Sequence, residues 1–321
     1  MHSLAEPEGL VQVSALQAGH LTLPERFFVH PASDVARKTV PSLSFLIEHV
    51  EPRSGKVTRI IFDLGLRHPS NYPIPVQNHI KTRQPLSAEP DVVKSLAAGG
   101  LSPDNIDFVI YSHIHWDHIG DPKMFGKSTF VTGPGTSTLL DGSNLALRGG
   151  HSFFEVDLLS ESQAIEILPD GKFKSMNTMK KGISFDGDIP NFNQSWEPRG
   201  SLPRTMDIFQ DGSVLLVDAP GHLPGHMNIF ARTGQDKYVY LAGDACHDRR
   251  IMTREREIGE WHDEHGHICC IHANRQEAER TIGRIKQLEL EGVEIIFAHD
   301  VEWEQNPENQ KRFFSACSEK L

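Results

Sequence analysis

A histidine-rich stretch at residues 112–120, SHIHWDHIG, constrains this chain more than any other feature. It follows residues 108–111, FVIY, whose β-branched and aromatic side chains predict a buried strand. Open α/β sheets usually place their ligand sites on the loops that leave the carboxyl ends of strands. The stretch therefore predicts a ligand site at the edge of an α/β sheet.

This stretch contains four potential metal ligands, His113, His115, Asp117 and His118. Imidazoles two residues apart can converge on one cation in a tight loop, and the adjacent aspartate and histidine then point to a second position. Nitrogen ligands with one or two carboxylates suit zinc, or a related ion such as iron, manganese or cobalt. The alternative is a polar loop that happens to be rich in histidine.

Polar side chains also follow three later apolar strands. Residues 214–217 lead into DAPGHLPGH, residues 238–242 lead into GDA, and residues 295–298 lead into HD. Each polar residue alone could equally be a cap or a turn residue. Strand ends at one sheet edge can gather in space even when they are far apart in sequence, so the four loops together favour one shared site.

Composition excludes several classes of function. The 321 residues carry a formal net charge of −11, which argues against a nucleic-acid surface and against anionic membranes. No apolar run approaches the roughly 20 residues of a spanning helix. The first residues lack the basic and apolar regions of a signal peptide, and the four cysteines form no CxxC pair. These features predict a cytoplasmic protein.

The first half of the chain predicts strands, one helix and two long loops. Val11 begins a loosely alternating strand, and residues 42–48 and 56–63 predict a hairpin. Residues 91–98 predict a helix that is capped near Asp91 and ends at Gly99 and Gly100. Prolines in residues 26–40 and 66–90 favour loops rather than regular elements.

The second half predicts an irregular segment followed by a regular sheet. Residues 141–205 contain one clear strand, 164–168, and the segment is expected to be an insert that covers the active site. Its Phe153, Phe154 and Trp196 predict either core residues or the wall of a pocket. Further strands are predicted at residues 205–209, 213–217, 227–231, 238–242 and 293–297, with a helix at 275–290. No repeat or linker divides the chain, which predicts one domain over residues 1–321.

Four motifs together indicate a family. HxHxDH, PGHxPGH, GDA and AHD occur in this order at residues 113–118, 220–226, 243–245 and 298–300. The set resembles the metallo-β-lactamase superfamily, and within it the N-acyl-homoserine lactonase-like branch. The resemblance implies an α/β fold, a four-layer αβ/βα sandwich, with two metal ions at the edges of its sheets.

The resemblance also implies which residues hold the metals. His113, His115 and His222 would bind the first ion, and Asp117, His118 and His299 would bind the second. Asp244 would bridge the two ions. His226 would be a structural residue beside them. The expected cofactors are two divalent ions, zinc first and iron, manganese or cobalt as alternatives.

The implied function is a dinuclear, zinc-dependent hydrolase that opens a lactone, a cyclic ester. A hydroxide shared by the two ions would attack the carbonyl carbon, and Asp117 would pass a proton to the leaving group. His247 stands where the lactonases have a tyrosine, so it would assist the oxyanion in place of a phenol. The expected substrate is a small lactone or ester with a hydrophobic body. The alternative is a thioesterase of the same superfamily.

Two other candidates have simpler interpretations. Residues 261–267, WHDEHGH, could form a third metal cluster, but such a run is more typical of a solvated loop. Cys269 and Cys270 are adjacent, and neighbouring thiols rarely share a metal ion. They are expected to fill the core.

Overall fold

Two β-sheets form the centre of the protein. The structure is a computed structural model that describes residues 9–142, 147, 151, 153–160, 162–176 and 190–314. Cys317 and parts of the predicted insert therefore lie outside the described residues. Among the residues that are described, every helix is too short or too polar to traverse a lipid bilayer.

The first sheet has seven strands and contains both parallel and antiparallel pairs. The strands lie in the order β1 (Val11–Leu16), β5 (Ser44–Val50), β6 (Val57–Phe62), β7 (Phe108–Ile110), β8 (Thr129–Thr132), β9 (Gln163–Ile167) and β10 (Phe173–Ser175). From β6 to β9 the strands run parallel, so the loops that leave them emerge at the same edge. The expected hairpin is confirmed, since β5 and β6 pair antiparallel.

The second sheet has six strands and is antiparallel except at one edge. Its order is β11 (Glu197–Arg199), β12 (Leu202–Asp207), β13 (Val214–Asp218), β14 (Met227–Gly234), β15 (Lys237–Leu241) and β19 (Glu294–Ile296). β15 and β19 pair in parallel, which brings the GDA and AHD motifs to neighbouring strand ends.

Three two-stranded ribbons and seven α-helices complete the described part of the fold. The ribbons pair β2 (His20–Pro24) with β4 (Arg37–Pro41), β3 (Val29–His30) with β16 (Glu257–Ile258), and β17 (Glu260–His262) with β18 (Ile268–Cys270). The helices are α1 (Ile74–Ile80), α2 (Val92–Ala98), α3 (Thr136–Leu140), α4 (Arg249–Met252), α5 (Arg275–Leu290), α6 (Val301–Gln305) and α7 (Pro307–Gln310).

Alternating side chains on the strands create three apolar layers. In β5, Phe45 and Ile47 face the second sheet, whereas Leu46 faces the side on which α1, α2 and α3 pack. In β13, Leu216 faces the first sheet, whereas Leu215 faces α5. Successive side chains of a strand point to opposite faces, so each sheet is buried on both sides. The expected four-layer αβ/βα sandwich is confirmed.

Two of the segments predicted as loops contain regular elements. Residues 66–90 include helix α1. Pro73 and Pro75 stand at the start of this helix, where proline is tolerated, and Val76 and Ile80 form its buried face. Residues 26–40 include most of strand β4, whose alternation is too short to detect without its partner β2. The prediction of loops was wrong at both places.

The two helices predicted from the sequence are confirmed. α2 begins after Asp91, whose side chain accepts a hydrogen bond from the Lys94 N–H at 2.8 Å, and it ends at Gly99. α5 has the predicted bounds and buries Ala278, Ile282, Ile285 and Leu288. Both helices have a strong N-terminal cap and an apolar face at helical spacing, the two signals that the sequence alone displays.

Candidate metal centre

Strand β7 delivers the histidine loop to the gap between the ends of the two sheets. Asp63, directly after β6, accepts hydrogen bonds from the Ser112 N–H and from Ser112 Oγ, both at 2.6 Å. The Met227 N–H of the second sheet donates to the Ser112 carbonyl at 2.8 Å. These bonds hold the start of the loop against both sheets.

A glycine is needed where the GDA loop crosses the histidine loop. Gly243 has a φ of +47°, and a Cβ atom there would lie 2.8 Å from Cβ of Ser112 and 3.0 Å from Nε2 of His226. Any larger residue would combine a strained backbone with a steric clash. The glycine therefore lets Asp244 approach the histidines closely.

The first cluster consists of three ring nitrogens from His113, His115 and His222. His113 Nε2 lies 2.9 Å from His115 Nδ1, and His222 Nε2 lies 3.2 Å and 3.0 Å from these two atoms. Asp244 Oδ2 lies 3.5 Å from His222 Nε2 and 3.8 Å from His113 Nε2. The four side chains are buried and approach one point from different sides.

The second cluster joins Asp117, His118 and His299 to the other oxygen of the same aspartate. Asp244 Oδ1 lies 3.2 Å from His118 Nε2 and 3.3 Å from His299 Nε2. His299 Nε2 lies 3.6 Å from Asp117 Oδ2. One oxygen of Asp244 therefore faces each cluster, and the structure brings all seven predicted ligands together.

Both clusters fit a metal ion better than they fit direct hydrogen bonding. Four ligands around a zinc ion, with Zn–N bonds of about 2.0–2.1 Å, lie roughly 3.3 Å apart, close to the spacing of the three imidazole nitrogens. Three neutral imidazoles cannot all donate to one another. In the second cluster, His118 Nε2 and Asp244 Oδ1 are buried without a hydrogen-bond partner. Cations held between these atoms would satisfy both clusters.

Hydrogen bonds behind the rings fix which nitrogen faces each cluster. His299 Nδ1 donates to the Pro41 carbonyl at 2.7 Å, and His118 Nδ1 donates to Asp63 Oδ2 at 2.9 Å. Each bond leaves the Nε2 lone pair free toward the cluster, as a metal ligand requires.

His226 has a different role in the same network. Its Nδ1 donates to the Ala219 carbonyl at 3.0 Å, and its Nε2 accepts the Asp244 N–H at 3.1 Å. Neither ring nitrogen is free for a metal ion. The histidine holds the backbone of Asp244 in place, which agrees with the structural role expected for it.

Burial and charge prepare the groups for metal binding. Burial holds the pKa of His113, His115 and His222 well below the ordinary imidazole value, so these rings are neutral. Burial opposes the ionisation of Asp244, but His118 and His299 outweigh it and hold the pKa of Asp244 well below its usual range. The first cluster therefore offers neutral imidazoles beside an ionised carboxylate. In the second cluster burial is outweighed by the charge of Asp244, which raises the pKa of His118 and His299, so a metal ion bound there would displace a proton from these rings.

His247 lies at the edge of the clusters. Its Nε2 donates to Asp244 Oδ2 at 3.0 Å, and its Nδ1 is buried without a partner. His247 and Asp117 both line a small cavity of about 30 Å³ next to the candidate ligands. The two side chains predicted to act on substrate therefore line the same cavity.

Three residues near the site were missed in the sequence. Asp63 ends the strand KVTRIIFD, the same pattern that identified the other strand ends, so this signal was available. His151 Nδ1 lies 3.1 Å from His115 Nε2. His272 is buried with its ring centre 5.2 Å from those of His222 and His247. His272 follows the apolar run ICCI at residues 268–271, so a signal was available for it as well. His151 follows no strand pattern, and only the folded chain brings it to the site.

The other candidates lie away from the clusters or play different parts. Residues 261–267 belong to the ribbon of β17 and β18, and they enter none of the metal-binding groups found among the described residues. Cys269 is buried in the predicted manner. Phe154 stacks on His115 with ring centres 6.0 Å apart, and Trp196 packs at the core between the sheets.

Residues 39–289 match the family described as the metallo-beta-lactamase superfamily. This match extends over more than half of the chain, and it includes three of the four motif loops. The chain belongs to this superfamily.

Two curated relatives show different extents of similarity. The cytochrome P450 monooxygenase mpaDE' of Penicillium brevicompactum is 29% identical over 314 residues, which cover 90% of this chain and 33% of that protein. The chain thus spans about a third of the length of this relative. The N-acyl homoserine lactonase AiiB of Agrobacterium fabrum is 24% identical over 302 residues, which cover 89% of this chain and 92% of the lactonase.

A solved structure shows the same fold. A mutant of AiiA from B. thuringiensis, with N-decanoyl-L-homoserine bound at its active site, aligns with a TM-score of 0.62 at 18% identity. The alignment covers 92% of this chain and 96% of AiiA. This chain and AiiA therefore share one fold over almost the whole length of both chains.

Proposed function

We propose that this protein is a dinuclear, zinc-dependent hydrolase that opens a lactone ring. The observation that carries the proposal is the pair of ligand clusters that share Asp244. Seven ligands around two positions leave coordination sites free, as a catalytic centre requires. Two zinc ions bound there would lower the pKa of a shared water and polarise the substrate carbonyl.

Asp117 is suited to move a proton during the reaction. It lines the small cavity, and its Oδ2 lies 3.6 Å from His299 Nε2. A carboxylate at this place can accept the proton that is released when water attacks and can donate it to the departing alkoxide. Asp117 would therefore serve both as a ligand and as the proton carrier.

His247 is suited to assist the developing oxyanion. It reaches the same cavity from the opposite sheet, and Asp244 and the packing of Phe28, 5.1 Å away between ring centres, fix its orientation. Its Nε2–H faces Asp244 Oδ2, so it would turn to the carbonyl oxygen when metal ions take the oxygens of Asp244, and there it would stabilise the charge that develops in the transition state. In this proposal His247 replaces the tyrosine hydroxyl of the lactonase pattern.

The surroundings favour a substrate with a hydrophobic body. A larger cavity of about 700 Å³ adjoins the small one, and aromatic and apolar side chains form much of its wall, among them Phe27, Phe28, Phe153, Trp261 and Ile271. Such a wall suits an aromatic or acyl group attached to a reactive carbonyl. The similarity to AiiB supports a lactone as that carbonyl group.

A substrate panel tests the proposal. Purified protein, loaded with zinc or stripped with a chelator, is assayed on acyl-homoserine lactones, aliphatic lactones, aromatic lactones and acyl thioesters. We expect zinc-dependent opening of at least one lactone class and little turnover of thioesters. Turnover of thioesters without any lactone opening would refute the lactonase and favour the thioesterase.

A further inference from the structure

Arg83 lies in the wall that separates the two cavities above the candidate metal centre. It lines the small cavity together with Asp117 and His247, and it also lines the larger outer cavity. Only 8% of its surface is exposed. A molecule that reached from the outer cavity to the metal centre would pass directly beside this guanidinium group.

Arg83 has no carboxylate partner among the described residues. Its Nη1 donates to Thr82 Oγ1 at 2.7 Å. Burial lowers the pKa of Arg83 to about 10, so the group is still charged at neutral pH. A buried cation without a counter-ion is costly, and a bound anion would offset that cost.

The other cations of the outer cavity are paired, used by the backbone or exposed. Arg26 lies 3.3 Å from Asp34, and Arg37 donates to the carbonyls of Thr82 and Gln84 at 2.8 Å and 3.1 Å. Lys81 is exposed to solvent. Arg83 is therefore the cation that remains available for a ligand inside the cavity.

We propose that Arg83 binds a carboxylate carried by the substrate and so selects lactones whose apolar body bears an acidic group. This inference rests on the proposed hydrolase function and names its substrate class. The guanidinium group is a planar fork of N–H donors that matches a carboxylate in two parallel hydrogen bonds.

The charge around the outer cavity agrees with this substrate class. Four cationic side chains, Arg26, Arg37, Lys81 and Arg83, line it against one acidic residue, Asp34. The whole chain, in contrast, carries a net charge of −11. A local positive patch with apolar walls attracts anions to this opening. The aromatic wall then holds the body of the substrate.

A purely structural role would give a different result. Arg83 is close enough to Asp117 for the charge of that carboxylate to act on it. If Arg83 only positioned Asp117, its replacement would lower kcat equally for charged and neutral substrates. If Arg83 binds a carboxylate, its replacement would lower kcat/KM for the charged substrate only, mainly by raising KM.

The test compares two aromatic lactones that differ in one group, a ring carboxylate or the corresponding carboxamide. For the zinc-loaded wild-type protein we expect kcat/KM to favour the carboxylate by about 10- to 100-fold, the range for a buried charge-assisted contact. Arg83→Met should remove this preference, with KM for the carboxylate changing most. The matched control is Arg53→Met at an exposed turn, which should keep the preference.

A binding measurement separates this inference from the hydrolase itself. The probe is the cyclic ether that corresponds to the carboxylate lactone, which cannot be hydrolysed, and its dissociation constant is measured by calorimetry. We expect binding to weaken at least 10-fold in Arg83→Met. If no lactone of the panel is opened but this loss of binding is seen, the hydrolase proposal fails and the carboxylate site stands.

Three results would overturn the inference. The first is a wild-type protein that shows no preference for the carboxylate, a comparison that needs no variant. The second is an equal loss of kcat on both lactones in Arg83→Met. The third is unchanged ether binding in Arg83→Met or, should that variant not fold, in Arg83→Gln.

Discussion

Replacement of Asp63 by asparagine tests whether this buried carboxylate positions the metal ligands. Asp63 accepts three hydrogen bonds, two from Ser112 at 2.6 Å and one from His118 Nδ1 at 2.9 Å. Asparagine keeps the size of the side chain but removes the charge, and its amide N–H₂ must face donors. Ser112 Oγ also lies 3.0 Å from His113 Nδ1, so the change reaches both clusters.

The size of the effect follows from these contacts. Each buried hydrogen bond to a charged group contributes about 1.5–3 kcal/mol, and at least one is lost while others weaken, so we expect a loss of about 3–4 kcal/mol in the free energy of unfolding. For a protein of this size that corresponds to a fall of roughly 5 °C in Tm. Loss of a partner behind a metal ligand typically lowers metal affinity about 10- to 100-fold.

Thermal unfolding of the chelated protein measures the first effect, and calorimetric titration with zinc measures the second. The matched control is Asp211→Asn, in the turn between β12 and β13, where Asp211 accepts a hydrogen bond from His49 at 2.8 Å. The control should lower Tm without a change in zinc affinity. Wild-type zinc affinity in Asp63→Asn would refute the positioning role, even if Tm fell.

Three further predictions concern the centre itself. Elemental analysis of the reconstituted wild-type protein should give close to two metal ions per chain, and a content of no more than one ion would contradict the dinuclear site. Asp244→Ala should lose metal and activity together, because the two oxygens of Asp244 each face one cluster. Asp117→Asn should lower kcat at least 10-fold with a smaller change in KM, and near-normal turnover would remove its proton-transfer role. His247→Phe should lower kcat for lactones about 100- to 1,000-fold, the usual cost of removing one oxyanion donor, while metal content stays near two ions. Steady-state kinetics and elemental analysis decide this.

The sequence alone was sufficient to predict much of the local secondary structure. Hydrophobic periodicity and the cap at Asp91 predicted strands and helices because these signals depend on residues a few positions apart. Four short motifs in a fixed order identified the superfamily and its four-layer fold. Helix α1 and strand β4 were missed. The prolines of α1 and the short apolar pattern of β4 do not predict a regular element without the neighbours on which these elements pack.

Only the tertiary structure decided how the ligands meet and what surrounds them. His113 and His299 lie far apart in the chain. The pairing of β6 with β7 and of β15 with β19 brings their loops to the adjoining ends of the two sheets. The sequence could name a ligand type at each strand end, but not that one oxygen of Asp244 faces each cluster. That the guanidinium of Arg83 has no carboxylate partner among the described residues is also a property of the fold, because it depends on where those other segments of the chain lie.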